Sequence, residues 1–156
     1  MFREMRRFKQ QISEDQCKEV LKHARRAVLS VNGEDGYPFA VPVNFYYDEQ
    51  NNKIYFHGAK AGHKIDALKK DNKVCFTVWD EGYKVEGDWA YYVNSVVIFG
   101  KAHFIEDEDF EILRKISKKY IPTVEETEAT IARAGARVQT IEIVIEDMKG
   151  KLVHEK

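Results

Sequence analysis

Tyr37-Pro-Phe-Ala-Val-Pro-Val-Asn-Phe-Tyr-Tyr47, the turn Asp48-Glu-Gln-Asn-Asn52, Lys53-Ile-Tyr-Phe-His57 and the tail Gly58-Ala-Lys-Ala-Gly-His-Lys-Ile-Asp-Ala-Leu-Lys-Lys70 form the stretch that decides the fold. It reads as strand, hairpin turn, strand, glycine-bearing loop and short helix. Val41, Val43, Phe45 and Tyr47 alternate with Ala40, Pro42, Asn44 and Tyr46, the period of a strand with one face in the core and the other free for a ligand. Pro42 has no N–H to give a ladder, so it predicts an edge strand or a break where backbone groups are free to bond something else. Gly58 and Gly62 bracket a loop that enters a helix with His63 and Lys64 in its first turn. Free N–H groups, the positive end of the helix dipole and Lys64 together suit a phosphate. The spacing is not that of a nucleotide triphosphate loop, because His63 separates Gly62 from Lys64 and Ile65 stands where a hydroxyl is needed.

Working outward, 156 residues suffice for one domain with a single sizeable core, and we read the chain as one unit over 1–156. The 25 Lys and Arg against 26 Asp and Glu give a net charge of −1, so no global field points to nucleic acid or an anionic membrane as partner. No apolar run approaches the ~20 residues of a membrane span, and the charged N-terminus carries no apolar signal segment, so a cytoplasmic protein is expected. Residues 1–11, with Arg3, Arg6, Arg7 and Lys9, read as a flexible or loosely packed arm. Cys17 and Cys75 follow no metal or redox spacing and read as buried structural thiols. The five histidines show no ligand spacing, so no metal is expected.

A first helix starts at Ser13, whose cap pairs with Gln16, and carries Cys17, Val20, Leu21 and Ala24 on one stripe. Ala27 to Val31 and Lys73 to Trp79 read as strands. Asp80 to Trp89 reads either as a lid or dimer-contact loop, or as a long hairpin loop with its tryptophans anchored in the core. Tyr91 to Phe99 is apolar at nearly every position, as in a strand buried on both sides, with Ser95 the polar exception and Gly100 a bulge or bend. A second long helix is expected over Asp107 to Tyr120, and a third opens on Thr123 and closes at Gly135. Val138 to Glu146 is the last strand, with Ile141, Ile143 and Ile145 on one face. About six strands with peripheral helices predict a mainly β, closed antiparallel barrel.

Tyr37-Pro38, Val41-Pro42-Val43-Asn44-Phe45, Ile54-Tyr55-Phe56-His57-Gly58-Ala59, Gly62-x-Lys64, and Tyr92-x-Asn-Ser95-Val96 before Gly100 resemble the flavin-binding split-barrel superfamily that includes pyridoxamine phosphate oxidase. Within it, the chain is most similar to the nitroimidazole-resistance-type branch. The resemblance implies an FMN-binding split barrel, acting as a homodimer with each flavin between the subunits. It places Val41, Pro42, Val43 and Asn44 along the flavin ring, Gly62, His63 and Lys64 at the phosphate, Ser95 as a further hydrogen-bonding group, and Phe56 and His57 toward the pocket. His57 is the one ionisable residue of the matched region suited to proton delivery near neutral pH. The activity so implied is flavin-dependent reduction of a small acceptor such as a nitro-aromatic compound. The other reading is a module that holds flavin, deazaflavin or haem without turnover. The arginine-rich substrate motifs of pyridoxamine phosphate oxidation are not apparent.

Overall fold

The computed structural model describes residues 1–156. Four helices and seven strands follow in the order α1 (Glu14–His23), β1 (Ala27–Asn32), β2 (Pro38–Val43), β3 (Tyr46–Asp48), β4 (Lys53–Ala59), α2 (His63–Lys70), β5 (Lys73–Trp79), β6 (Tyr92–Ile105), α3 (Glu111–Tyr120), α4 (Val124–Ala134) and β7 (Val138–His154). Every strand pair is antiparallel, in the order β2-β1-β5-β6-β7-β4-β3. The seventh strand arises because the Tyr37 to Tyr47 run is two strands, broken at Asn44 and Phe45. Its halves, β2 and β3, occupy opposite ends of the sheet. Two ends only two residues apart in the chain can be reached only if the sheet curls round on itself, which makes a barrel left open along one seam: the split barrel.

Local chemistry sets the helices. Ser13 Oγ accepts from Gln16 N–H at 3.2 Å while Gln16 Oε1 accepts from Ser13 N–H at 2.8 Å, a reciprocated box that starts α1. Cys17, Val20 and Leu21 are buried against the sheet. Gly150 of β7 admits this contact, since a Cβ there would stand 2.6 Å from Cys17 Sγ. Ile65, Ala67 and Leu68 are the buried side of α2. Thr123 accepts from Glu126 N–H at 3.1 Å to start α4, which ends at Gly135.

Several expectations are corrected. The α3 helix begins at Glu111 rather than Asp107, because Phe110 is left-handed at φ 57°. Asp107 still serves the helix from outside it, accepting from the N–H groups of Ile112 and Leu113 at 3.1 and 2.9 Å. β6 is buried on one face only: Val96, Ile98 and Ala102 point inward, while Val97 and Phe99 are 37% and 40% exposed. Trp79 and Trp89 are exposed at 49% and 70%, so they are not core anchors. Cys17 is buried, whereas Cys75 is half-buried on the outer face of β5. The last strand runs on to His154, with a register shift between Phe99 and Gly100 that accommodates Glu146 as an extra residue.

The register lines up the outer face. One row across the sheet is Pro42, Val28, Thr77, Val97 and Lys149; the next is Ala40, Ser30, Cys75, Phe99 and Asp147. Phe2 stacks on Phe99 with ring centroids 5.6 Å apart. Ile12 N–H donates to Gly150 O at 3.0 Å, tying the end of the N-terminal segment to β7. No helix is long and apolar enough to cross a membrane.

Candidate functional site

The seam is held without a strand ladder. Phe45 N–H donates to the Tyr120 hydroxyl at 2.9 Å, Lys119 Nζ donates to Phe45 O at 3.1 Å, and the Tyr120 hydroxyl donates to Arg25 O at 2.6 Å. Phe45 itself is fully buried, edge-on to Phe76 at 5.3 Å, so the C-terminal end of α3 clasps a plugged opening. The Lys119 ammonium lies 3.8 Å from the Phe45 ring centroid. Burial, and then the nearby Arg25 charge, lower its pKa to about 8.

Beside the clasp, Arg26, Pro42, Val43, Asn44, His57 and Lys64 line an open cleft of about 390 Å³. Each residue arrives by a different route. Arg26 sits on the turn from α1 to β1. Pro42 lies on the outer face of edge strand β2, whose other side has no partner strand. His57 lies on β4 with its ring on the side opposite the buried Ile54 and Phe56, as the strand period requires. Lys64 comes from the first turn of α2 and crosses over Gly58, where a Cβ would stand 2.9 Å from both Cε and Nζ. Gly58 therefore gives the lysine its path. Gly62, at φ 135°, precedes a first helical turn that no side chain caps, so its N–H groups are available to an anion. Neither Arg26 nor Lys64 is paired with a carboxylate. The walls around His57, and then the Lys64 ammonium, lower the imidazole pKa, which keeps the ring neutral at pH 7.

Not every residue singled out in the sequence reaches this cleft. Phe56 is fully buried and its side chain belongs to the core, which corrects the expectation that it reaches toward the pocket. Val41 faces inward and packs on the core, so only its backbone can meet a ligand there. His63 stacks on Phe39 at 4.1 Å and does not line the cleft. Ser95, on β6, is separated from β2 by β5 and β1. Sequence reasoning missed Arg26, although the Arg25-Arg26 pair between helix and strand was a visible signal. It also missed Tyr120 and Lys119, which meet Phe45 from about 75 residues away.

A second cavity, of about 250 Å³, opens off the same place. Asn44 and His57 line both. Its remaining walls come from α3, α4 and the start of β7, mainly Leu113, Ile116, Ile131 and Ala134.

A family model described as "Pyridoxamine 5'-phosphate oxidase" matches residues 13–152. No curated protein matches the chain. Among solved structures, a candidate 5-nitroimidazole antibiotic resistance protein of Bacteroides thetaiotaomicron aligns with a TM-score of 0.75 at 24% identity, over 92% of this chain and 87% of that one. An FAD-binding protein of Mesorhizobium loti aligns at 0.67 and 21% identity, covering 92% and 96%. An FAD and haem binding protein of Mycobacterium smegmatis aligns at 0.69 and 18% identity, covering 92% and 73%. These likenesses carry the fold.

Proposed function

This chain belongs to the pyridoxamine 5'-phosphate oxidase family, and from that premise we propose that it binds FMN in the seam cleft and works as a flavin-dependent oxidoreductase on a small acceptor. The observation that carries the reading is the convergence, in one cleft, of two unpaired cations, a neutral histidine and an edge strand that carries a proline and ends at Val43. Lys64, the uncapped first turn of α2 and Arg26 supply the charge and N–H donors that a flavin phosphate needs. The backbone of Val41 to Asn44, open on one side, offers hydrogen bonds to a flat heterocycle lying along β2. His57, neutral at pH 7, can take or give a proton at its imidazole beside that ring. A bound flavin supplies the electron transfer itself, from a reduced donor to the acceptor. The name of the Bacteroides structural neighbour supports a nitro-aromatic acceptor.

A homodimer fits the remaining pieces. Ser95 shares the outer face with Val97, Phe99 and Trp79, and that apolar surface is of the kind a second copy covers. Ser95 would then serve a flavin seated mainly against the partner. Reduced Cys17 and Cys75 suit the cytoplasm.

Titration of the purified protein with FMN, followed by flavin fluorescence and sedimentation, tests this reading. We expect about one FMN per chain and a dimer; Lys64→Ala should weaken retention about tenfold, the loss of one charge-assisted contact of roughly 1.4 kcal/mol. Refusal of FMN by the wild type would sink the proposal. Flavin that binds but is reoxidised no faster by any acceptor than by air would favour a non-catalytic flavin, deazaflavin or haem module; the FAD and haem binding neighbour of Mycobacterium smegmatis supports the flavin and haem forms of that reading.

A further inference from the structure

The cavity between α3, α4 and β7 includes neither Arg26 nor Lys64, the cations assigned above to the phosphate, yet it shares Asn44 and His57 with the seam cleft. Its walls are apolar: Leu113, Ile116 and Ile131 are at most 6% exposed and form its lining with Ala134. The polar groups on its rim are mostly spent. The Thr130 hydroxyl donates to Glu126 O at 2.8 Å, and the Tyr120 hydroxyl is taken up by Phe45 and Arg25. Ser117 is the exception. It is only 8% exposed, it lines the cavity, and its hydroxyl has no protein partner.

An unpartnered hydroxyl that lines the cavity is free to bond whatever occupies it. Asn44 and His57 at the mouth are likewise unbonded, and a neutral His57 adds no charge for an occupant to match. Apolar walls, one inner hydroxyl and neutral hydrogen-bonding groups at the entrance describe a particular guest. A dry apolar cavity of about 150 Å³ is enough for benzene in another protein, so about 250 Å³ leaves room for one substituted ring. A charged group would lose its hydration inside without a counter-charge to replace it.

We infer that this cavity is a binding subsite for an uncharged single-ring aromatic compound bearing one hydrogen-bonding group, bonded by Ser117 inside and by Asn44 and His57 at the mouth. The inference rests on the flavin reading for its purpose, seating the acceptor's ring beside the cofactor, and not for its occupancy, which the apo protein should also display. Ala134 and Ser117 are then specificity-determining positions.

Methyl-labelled NMR of the full chain, with and without FMN, tests it using benzamide as probe and chlorobenzene as its apolar control. Benzamide should shift the methyls of Ile116, Ile131 and Ala134 saturably in both states. Ala134→Leu, which fills the cavity, should weaken benzamide about tenfold or more while changing FMN affinity less than twofold. Ser117→Ala should weaken benzamide several-fold, leave chlorobenzene unchanged and preserve the thermal midpoint, which decides the matter if Ala134→Leu fails to fold. Unshifted methyls, or Ser117→Ala binding benzamide as the wild type does, would overturn the inference. Benzamide binding in a chain that refuses FMN would uphold this subsite and dismiss the flavin reading; FMN binding with silent methyls would do the reverse.

Discussion

The wall made by β5, β6 and β7 and the seam between β2 and β3 are built on opposite principles. In the wall, β6 registers with β7 over fourteen residue pairs, interrupted by one bulge, and Val96, Ile98 and Ala102 point into the core. At the seam no ladder exists. A single residue, Phe45, plugs the opening, and the tip of α3 bonds its N–H and C=O. The wall spends its backbone groups on itself and offers a ligand nothing but side chains. The seam leaves backbone groups of β2 unspent, and the cationic cleft lies there. A barrel of this kind gains a site where it fails to close.

The contrast can be broken at the wall first. Ile98 is fully buried, so Ile98→Ala should cost about 2–5 kcal/mol in urea unfolding while leaving FMN affinity of the folded fraction unchanged. An equal loss of flavin binding would show that the wall shapes the site directly. At the seam, Tyr120→Phe removes the hydroxyl that serves both Phe45 and Arg25. It should cost about 1–3 kcal/mol and speed hydrogen exchange at Phe45 N–H specifically, with wall amides unaffected. Uniform acceleration would mean that the two regions open as one.

The smallest effect concerns Lys119, whose folded pKa of about 8 lies below its ordinary 10.5. Between those values the unfolded chain holds a proton that the folded chain has released, so this group makes stability rise with pH across that window. Lys119→Met should flatten the rise by on the order of 1 kcal/mol, solvent still reaching the ammonium having cut the full value. Denaturation midpoints at pH 7.5, 9 and 10.5 check it; an unchanged slope would place the charge in water rather than over Phe45.

What was legible in the sequence follows the same division. His57 and Lys64 sit on β4 and on α2, the next element, so their meeting over Gly58 needs only short-range geometry. Pro42, on β2 at the far end of the sheet, joins them only because the sheet curls round. Arg26, Ser117 and Tyr120 join them through packing across the whole fold, which no local period encodes. The run from Tyr37 to Tyr47 kept its alternation through the break at Asn44 and Phe45, so two strands at opposite sheet ends read as one. β7 shows the converse. Ile141, Ile143 and Ile145 face inward, but after the extra residue Glu146 the inward positions become Met148, Gly150 and Leu152, and a strand whose phase slips reads as one that stops. Val97 and Phe99 misled in a third way, because an exposed apolar face and a doubly buried strand have the same composition.

The order of the sheet also fixes an order in time. The β3–β4 hairpin, which carries His57, docks on the rest of the sheet only through β7, the last of the seven strands to be made. A nascent chain that stops before Val138 leaves that hairpin without its neighbour, and an isolated two-stranded hairpin is marginal in water. The cleft is therefore completed last: its lining residues all lie between Arg26 and Lys64, but the strand that carries His57 is held in the sheet through β7. A cofactor that binds there acts as a seal on finished molecules, and a truncated product, however well its first six strands are made, lacks the finished cleft that would collect one.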